Sequence, residues 1–130
     1  MNEQKIKQLI QFQQGELDAV VLYQQLAKVM KDSESTSLFL QIAADEGGHA
    51  AIIRKITQAK LTPSHSKARL VVFLYRLVGL KRLLKILSKG EKKASIAYQP
   101  FLSEYAALQQ IADEELKHAD LLALLANKIA

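Results

Sequence analysis

Two short segments of the chain read Glu-x-x-His: Glu46-Gly-Gly-His49 and Glu115-Leu-Lys-His118. Residues three apart on a helix share one face, so each segment presents a carboxylate oxygen beside an imidazole nitrogen. Each is preceded by a further glutamate next to a glycine, Gly15-Glu16 and Gly90-Glu91. Four carboxylates gathered around one buried axis would repel one another strongly. Two divalent cations would neutralise them, so the pattern points to a dinuclear metal site on Glu16, Glu46, His49, Glu91, Glu115 and His118. Mixed carboxylate and imidazole ligation suits iron or manganese, whereas a set rich in imidazole or thiolate would have favoured zinc or copper. The chain has no cysteine. That excludes disulfides, cysteine zinc sites, cysteine-ligated iron–sulfur clusters and thiol catalysis.

The six residues belong to an internal repeat. Glu16 is followed seven residues later by Tyr23, and Glu91 at the same interval by Tyr98. Later in each half comes an isoleucine-led segment, Ile42-Ala-Ala-Asp-Glu46-Gly-Gly-His49 and Ile111-Ala-Asp-Glu-Glu115-Leu-Lys-His118. A lone Glu-x-x-His on a helix is usually accidental. Two copies, each behind a matched Glu and Tyr in the same order, argue for two halves related by a pseudo-twofold axis. They share too little else for a solenoid.

Helices must position these groups. Ile6, Leu9, Ile10, Gln13, Leu17, Val20 and Val21 keep a three- to four-residue rhythm that predicts a first helix from Glu3 to about Lys31, with Asn2 as its cap. After a polar turn, Leu38, Ile42, Ile52, Ile53 and Ile56 carry a second helix to about Ala59. Pro63 marks a break, and His65 in that loop has no ligand spacing. Residues 67–87 form a long apolar and basic crossover with a bend at Gly79. A second hairpin occupies residues 88–128, interrupted by Pro100. No segment alternates as a strand would. The expectation is one all-α domain over residues 1–130: a four-helix bundle with a long helical crossover between hairpins 3–59 and 88–128. Spacing supports it. At about 1.5 Å rise per residue, Glu91 and Glu115 each lie roughly 18 Å from a turn near Ser103, so they fall at one level on antiparallel neighbours.

Composition is that of a folded protein, with 49% apolar and 24% charged residues. The net charge of +5 is unevenly spread. Between Glu46 and Glu91 there are ten bases and no acid, while the remainder of the chain sums to −5. The apolar runs Leu70–Tyr75 and Leu77–Leu80 fall short of the roughly 20 residues a spanning helix needs. The polar start, Met1 to Lys5, lacks the apolar core of a signal peptide, which predicts a cytoplasmic protein.

One glutamate from each of two helices with Glu-x-x-His from each of the other two is the ferritin-like arrangement. The chain resembles the rubrerythrin branch of that superfamily. The resemblance rests on Glu16 in Gly-Glu-x6-Tyr, Glu46 and His49 in Asp-Glu-Gly-Gly-His, Glu91 in the second Gly-Glu-x6-Tyr, and Glu115 and His118 in Glu-Glu-Leu-Lys-His. It implies two iron ions, with manganese the alternative and no haem, and oxidation of ferrous iron by hydrogen peroxide or dioxygen. In two respects the chain departs from rubrerythrins that reduce peroxide. They usually carry a further Glu one turn after the third-helix ligand, where this chain has Ala94, and many carry a cysteine-ligated rubredoxin domain as electron donor. The six-ligand set, and the segment from Leu74 to Glu91, is closer to the erythrin domains attached to some membrane iron transporters. The ligand set is also similar to demethoxyubiquinone hydroxylase. Two further functions therefore stand beside peroxidase or ferroxidase: a monooxygenase acting on a quinone-like lipid, and a non-catalytic iron-binding module serving a membrane or transporter partner. A catalytic form needs an external electron donor.

Asp45 and Glu114 lie four residues before His49 and His118, placed to accept a ring N–H and set the tautomer. Tyr23 and Tyr98, two turns beyond their Glu on the same face, are candidates to hydrogen-bond a ligand carboxylate or pass an electron. The 67–87 segment is apolar almost all round, as a buried or interfacial helix is. The first reading of it is a homodimer contact and the second an anionic membrane surface, with the protein then peripheral at the membrane. Nucleic acid is not expected, because no stacking or base-reading motif accompanies the charge.

Overall fold

The computed structural model describes residues 2–130, and among them there is no strand. Helix α1 spans Glu3–Val29 and α2 spans Ser33–Thr57. Helix α3 spans Ser66–Val78, α4 spans Leu80–Tyr98, and α5 spans Leu108–Asn127. Gln99–Phe101 adds a short 3-10 turn after α4. The chain divides into two compact units, Met1–Phe73 and Leu74–Ala130.

The first unit is built on α1 and α2. Asn2 Oδ1 accepts from the Gln4 N–H at 2.8 Å and opens α1. Asp32 does the same for α2, accepting from the Ser35 N–H at 2.8 Å. Helix α2 closes on Gln58, the one described non-glycine residue with positive φ (60°), whose N–H bonds the Arg54 carbonyl. Only residues 30–32 separate the two helices, so they run antiparallel. Leu9, Leu26, Phe39, Ile42 and Ile53 are fully enclosed, and the Tyr23 and Phe39 rings meet with centroids 5.8 Å apart.

The Asp32 cap carries a pH signature. The Ser35 backbone N–H, helped by the Ser35 hydroxyl, holds the carboxyl below its ordinary 3.8. A depressed carboxyl stabilises the fold fully above its unfolded value, and the contribution fades as pH falls through the lower folded value. Asp32→Ala should cost about 1 kcal/mol at neutral pH. Urea denaturation at descending pH should show the gap between variant and parent closing once pH passes below 3.8.

The second unit is built on α4 and α5. The expected crossover over 67–87 is not one helix, and the second hairpin does not begin at residue 88. Gly79 interrupts the segment at φ 82°, ψ 171°, a conformation only glycine adopts readily. Residues 80–88 belong to α4, where Leu83 and Leu84 enter the core with no exposure. The crossover proper is therefore α3, of 13 residues. Nothing lies within 4 Å of a Cβ built at Gly79, so Gly79→Ala meets a conformational penalty alone. The expected loss is about 1–3 kcal/mol by chemical denaturation. Helix α5 starts at Leu108, five residues beyond the turn expected near Ser103. The chain reverses through Pro100 in 3-10 turns, and Phe101 is buried there.

Candidate metal centre

In the first unit, Glu16 on α1 meets Glu46 and His49 on α2. His49 Nδ1 lies 3.1 Å from Glu46 Oε1 and 3.5 Å from Glu16 Oε1. One ligand atom from each of the three lies within 4.8 Å of the others. In the second unit, Glu91 on α4 meets Glu115 and His118 on α5. His118 Nδ1 lies 2.9 Å from Glu91 Oε1 and 3.4 Å from Glu115 Oε1, and these three also fall within 4.8 Å of one another. All six residues are buried, none more than 7% exposed.

Helix packing explains how each trio closes. The two Glu-x-x-His segments are framed by alanines, Ala43 and Ala50 on α2, Ala112 and Ala119 on α5, all buried. Small side chains flanking the row let the partner helix approach. One turn before each lone glutamate sits a polar residue that ties its helix to the next. Gln13 accepts from the Thr57 hydroxyl at 2.6 Å and donates to the Ala59 carbonyl at 2.9 Å. Ser88 donates to the Ala119 carbonyl at 2.7 Å, and Ser95, one turn beyond Glu91, donates to the Ala112 carbonyl at 2.7 Å. These bonds set the register of Glu16 against His49 and of Glu91 against His118. Gln13 belongs to the periodic row of the first helix, but its bonds and those of Ser88 and Ser95 have no sequence signal beyond a polar residue at position −3 from the lone Glu in both halves. The loop after α2 is strapped back as well: Gln14 donates to the Thr62 carbonyl, and Asp18 accepts from the Ser64 N–H.

The donor set fits a divalent cation in each unit. Two carboxylates and one imidazole nitrogen would carry −2 when ionised, and a single such ion offsets it. Octahedral coordination at about 2.1 Å places neighbouring ligand atoms roughly 3 Å apart. The four contacts of 2.9–3.5 Å between imidazole and carboxylate are of that size.

The rubrerythrin family profile matches residues 13–126, which takes in both trios. The chain belongs to the rubrerythrin family. Its fold class is accordingly ferritin-like and all-α. Comparison with curated proteins gives no significant match, and neither does comparison with solved structures. For a rubrerythrin-family chain, a buried carboxylate–histidine cluster is a site compatible with iron.

Tyr23 and Tyr98 are both buried. Asp45 and Glu114 are half-buried, and each accepts from a glutamine one turn earlier, Gln41 at 2.9 Å and Gln110 at 3.0 Å. His65 is exposed in the loop before α3. Ala94, one turn after Glu91, is half-buried and offers no ligand.

Proposed function

We propose that the protein is a non-haem dinuclear iron protein that oxidises ferrous iron with hydrogen peroxide or dioxygen. The observation that carries this reading is the repetition. Each unit by itself closes a buried set of two carboxylates and one imidazole from residues in the same order. Glu16, Glu46 and His49 would hold one ion, and Glu91, Glu115 and His118 the other, with manganese as the alternative metal. When bound, the two ferrous ions supply the two electrons that, with two protons, convert hydrogen peroxide to water.

The chain's own residues do the rest. Burial keeps bulk water from the carboxylates and strengthens their hold on a cation. In this reading Asp45 and Glu114 would accept the ring N–H of the histidine one turn on, leaving Nδ1, the nitrogen beside the carboxylates, for the cation. Tyr23 and Tyr98, both buried, would donate their hydroxyls to ligand carboxylates. Because residue 94 is alanine, the position one turn after Glu91 offers no further ligand, and any change in metal charge would have to be met by the four carboxylates. These 130 residues contain no cysteine to hold a redox centre, so re-reduction would draw on a donor outside them.

Stopped-flow mixing of the anaerobically loaded ferrous protein with peroxide or with dioxygen tests this. Oxidation faster than that of free ferrous iron is expected with at least one oxidant, and the ratio of rates assigns the physiological one. Oxidation no faster than free iron with either oxidant overturns the reading.

A further inference from the structure

Helix α3 buries Ala68 but turns Leu70, Phe73 and Leu77 outward at 65%, 59% and 67% exposure. Their spacing of three and four residues puts them in one stripe on the side opposite Ala68. Large apolar side chains in a contiguous exposed row mark a surface meant to be covered. Lys67, Arg69 and Arg76, all exposed, flank the stripe on its two sides. An apolar row with long basic side chains along its borders is the layout of a helix lying in a bilayer interface, because the bases reach the headgroups while the row enters the acyl boundary.

We infer that α3 docks on an anionic lipid surface, with Leu70, Phe73 and Leu77 inserted and Lys67, Arg69 and Arg76 against the phosphates. Charge selects this occupant. The acid-free stretch between Glu46 and Glu91 carries ten bases. A second copy packed on the same face about a twofold axis would set that basic stretch against itself, whereas an anionic bilayer complements it, each base near the surface adding attraction. A nucleic acid would match the charge but leave the three apolar side chains in water. Docking is peripheral, since no helix among the described residues is long and apolar enough to cross a membrane.

The test uses the full chain and sedimentation with vesicles of phosphatidylcholine, with and without phosphatidylglycerol. The chain has no tryptophan, so Phe73→Trp provides a single indole reporter. Binding to the anionic vesicles at low salt is expected, weakened by added salt, with a blue-shifted indole emission. Leu70→Ser/Leu77→Ser should weaken partitioning by about tenfold or more, and Arg69→Glu/Arg76→Glu by a comparable factor. Circular dichroism confirms that both double variants fold. Absence of binding at low salt overturns the inference. So does binding with no emission shift that survives Leu70→Ser/Leu77→Ser, which assigns the charge to a soluble polyanion. A dimer in solution that Leu70→Ser/Leu77→Ser converts to monomer also overturns it, because the face is then covered by a second copy.

Discussion

Glu91→Ala is expected to reduce ferrous binding from about two ions per chain to no more than one, while leaving the protein folded. Glu91 is buried and its Oε1 lies 2.9 Å from His118 Nδ1. In its unit it is the sole carboxylate that α4 brings to the Glu115–His118 face. Its loss leaves one carboxylate and one imidazole, too few to hold a hard cation against water. The fold should tolerate the change. Ser88 and Ser95 still bind the α5 carbonyls on either side, and removing a carboxylate from a buried set relieves repulsion in the metal-free protein. The expected change in metal-free stability is therefore within about 1 kcal/mol. Metal analysis after anaerobic equilibration, paired with urea denaturation, reads both quantities. Glu3→Ala, on the exposed start of α1, serves as the control and should leave the stoichiometry unchanged.

Metal should also stabilise the protein by a large and specific amount. An ion that binds only the folded chain adds RT ln(1 + [L]/Kd), about 2.7 kcal/mol per site at a hundredfold excess over Kd. Two sites give about 5 kcal/mol, on the order of 15–20 °C in Tm for a chain of this size. Manganese is the convenient probe, since it resists oxidation during the scan. His49→Ala/His118→Ala removes the nitrogen ligand from both units and should abolish most of the shift, and a chelator should reverse it in the parent. An equal shift in the double variant would mean that the metal acts through surface carboxylates instead.

Much of this architecture is legible in the residues, for identifiable reasons. Helix α1 announces itself because Asn2 is a strong cap before an apolar run of helical period, and α2 by the same rhythm after a polar turn whose Asp32 the structure shows to be its cap. The six candidate ligands stand out because an i, i+3 pair shares a helix face whatever the tertiary structure, and because the pair recurs behind a matched Glu and Tyr. The bend expected at Gly79 is a full break between two helices, and its extent is harder to read. An isolated glycine in a helical pattern is tolerated or not according to the direction the next segment must take, which local sequence does not encode. For that reason Leu80–Leu87, assigned to the crossover by its apolar content, instead forms the opening turns of the helix that carries Glu91. The delayed start of α5 has a similar origin in the turns after Pro100.

The hydrogen bonds of Gln13, Ser88 and Ser95 are silent in the sequence for another reason. They bind main-chain carbonyls or a threonine hydroxyl, partners that any segment could offer, so only the folded register identifies them. The outward stripe on α3 was half legible. Its hydrophobicity shows that something must cover it, but the separation of Ala68 inward from Leu70, Phe73 and Leu77 outward emerges only when one face has packed.

The central claim is that each half of the chain supplies a complete ligand set for one ion. Anaerobic ferrous titration of the parent chain, Glu16→Ala and Glu91→Ala addresses it most directly. Saturation near two ions per parent chain is expected, with a comparable deficit when either half loses its lone glutamate. Saturation at one ion or none in the parent, or variants that bind as the parent does, would contradict it.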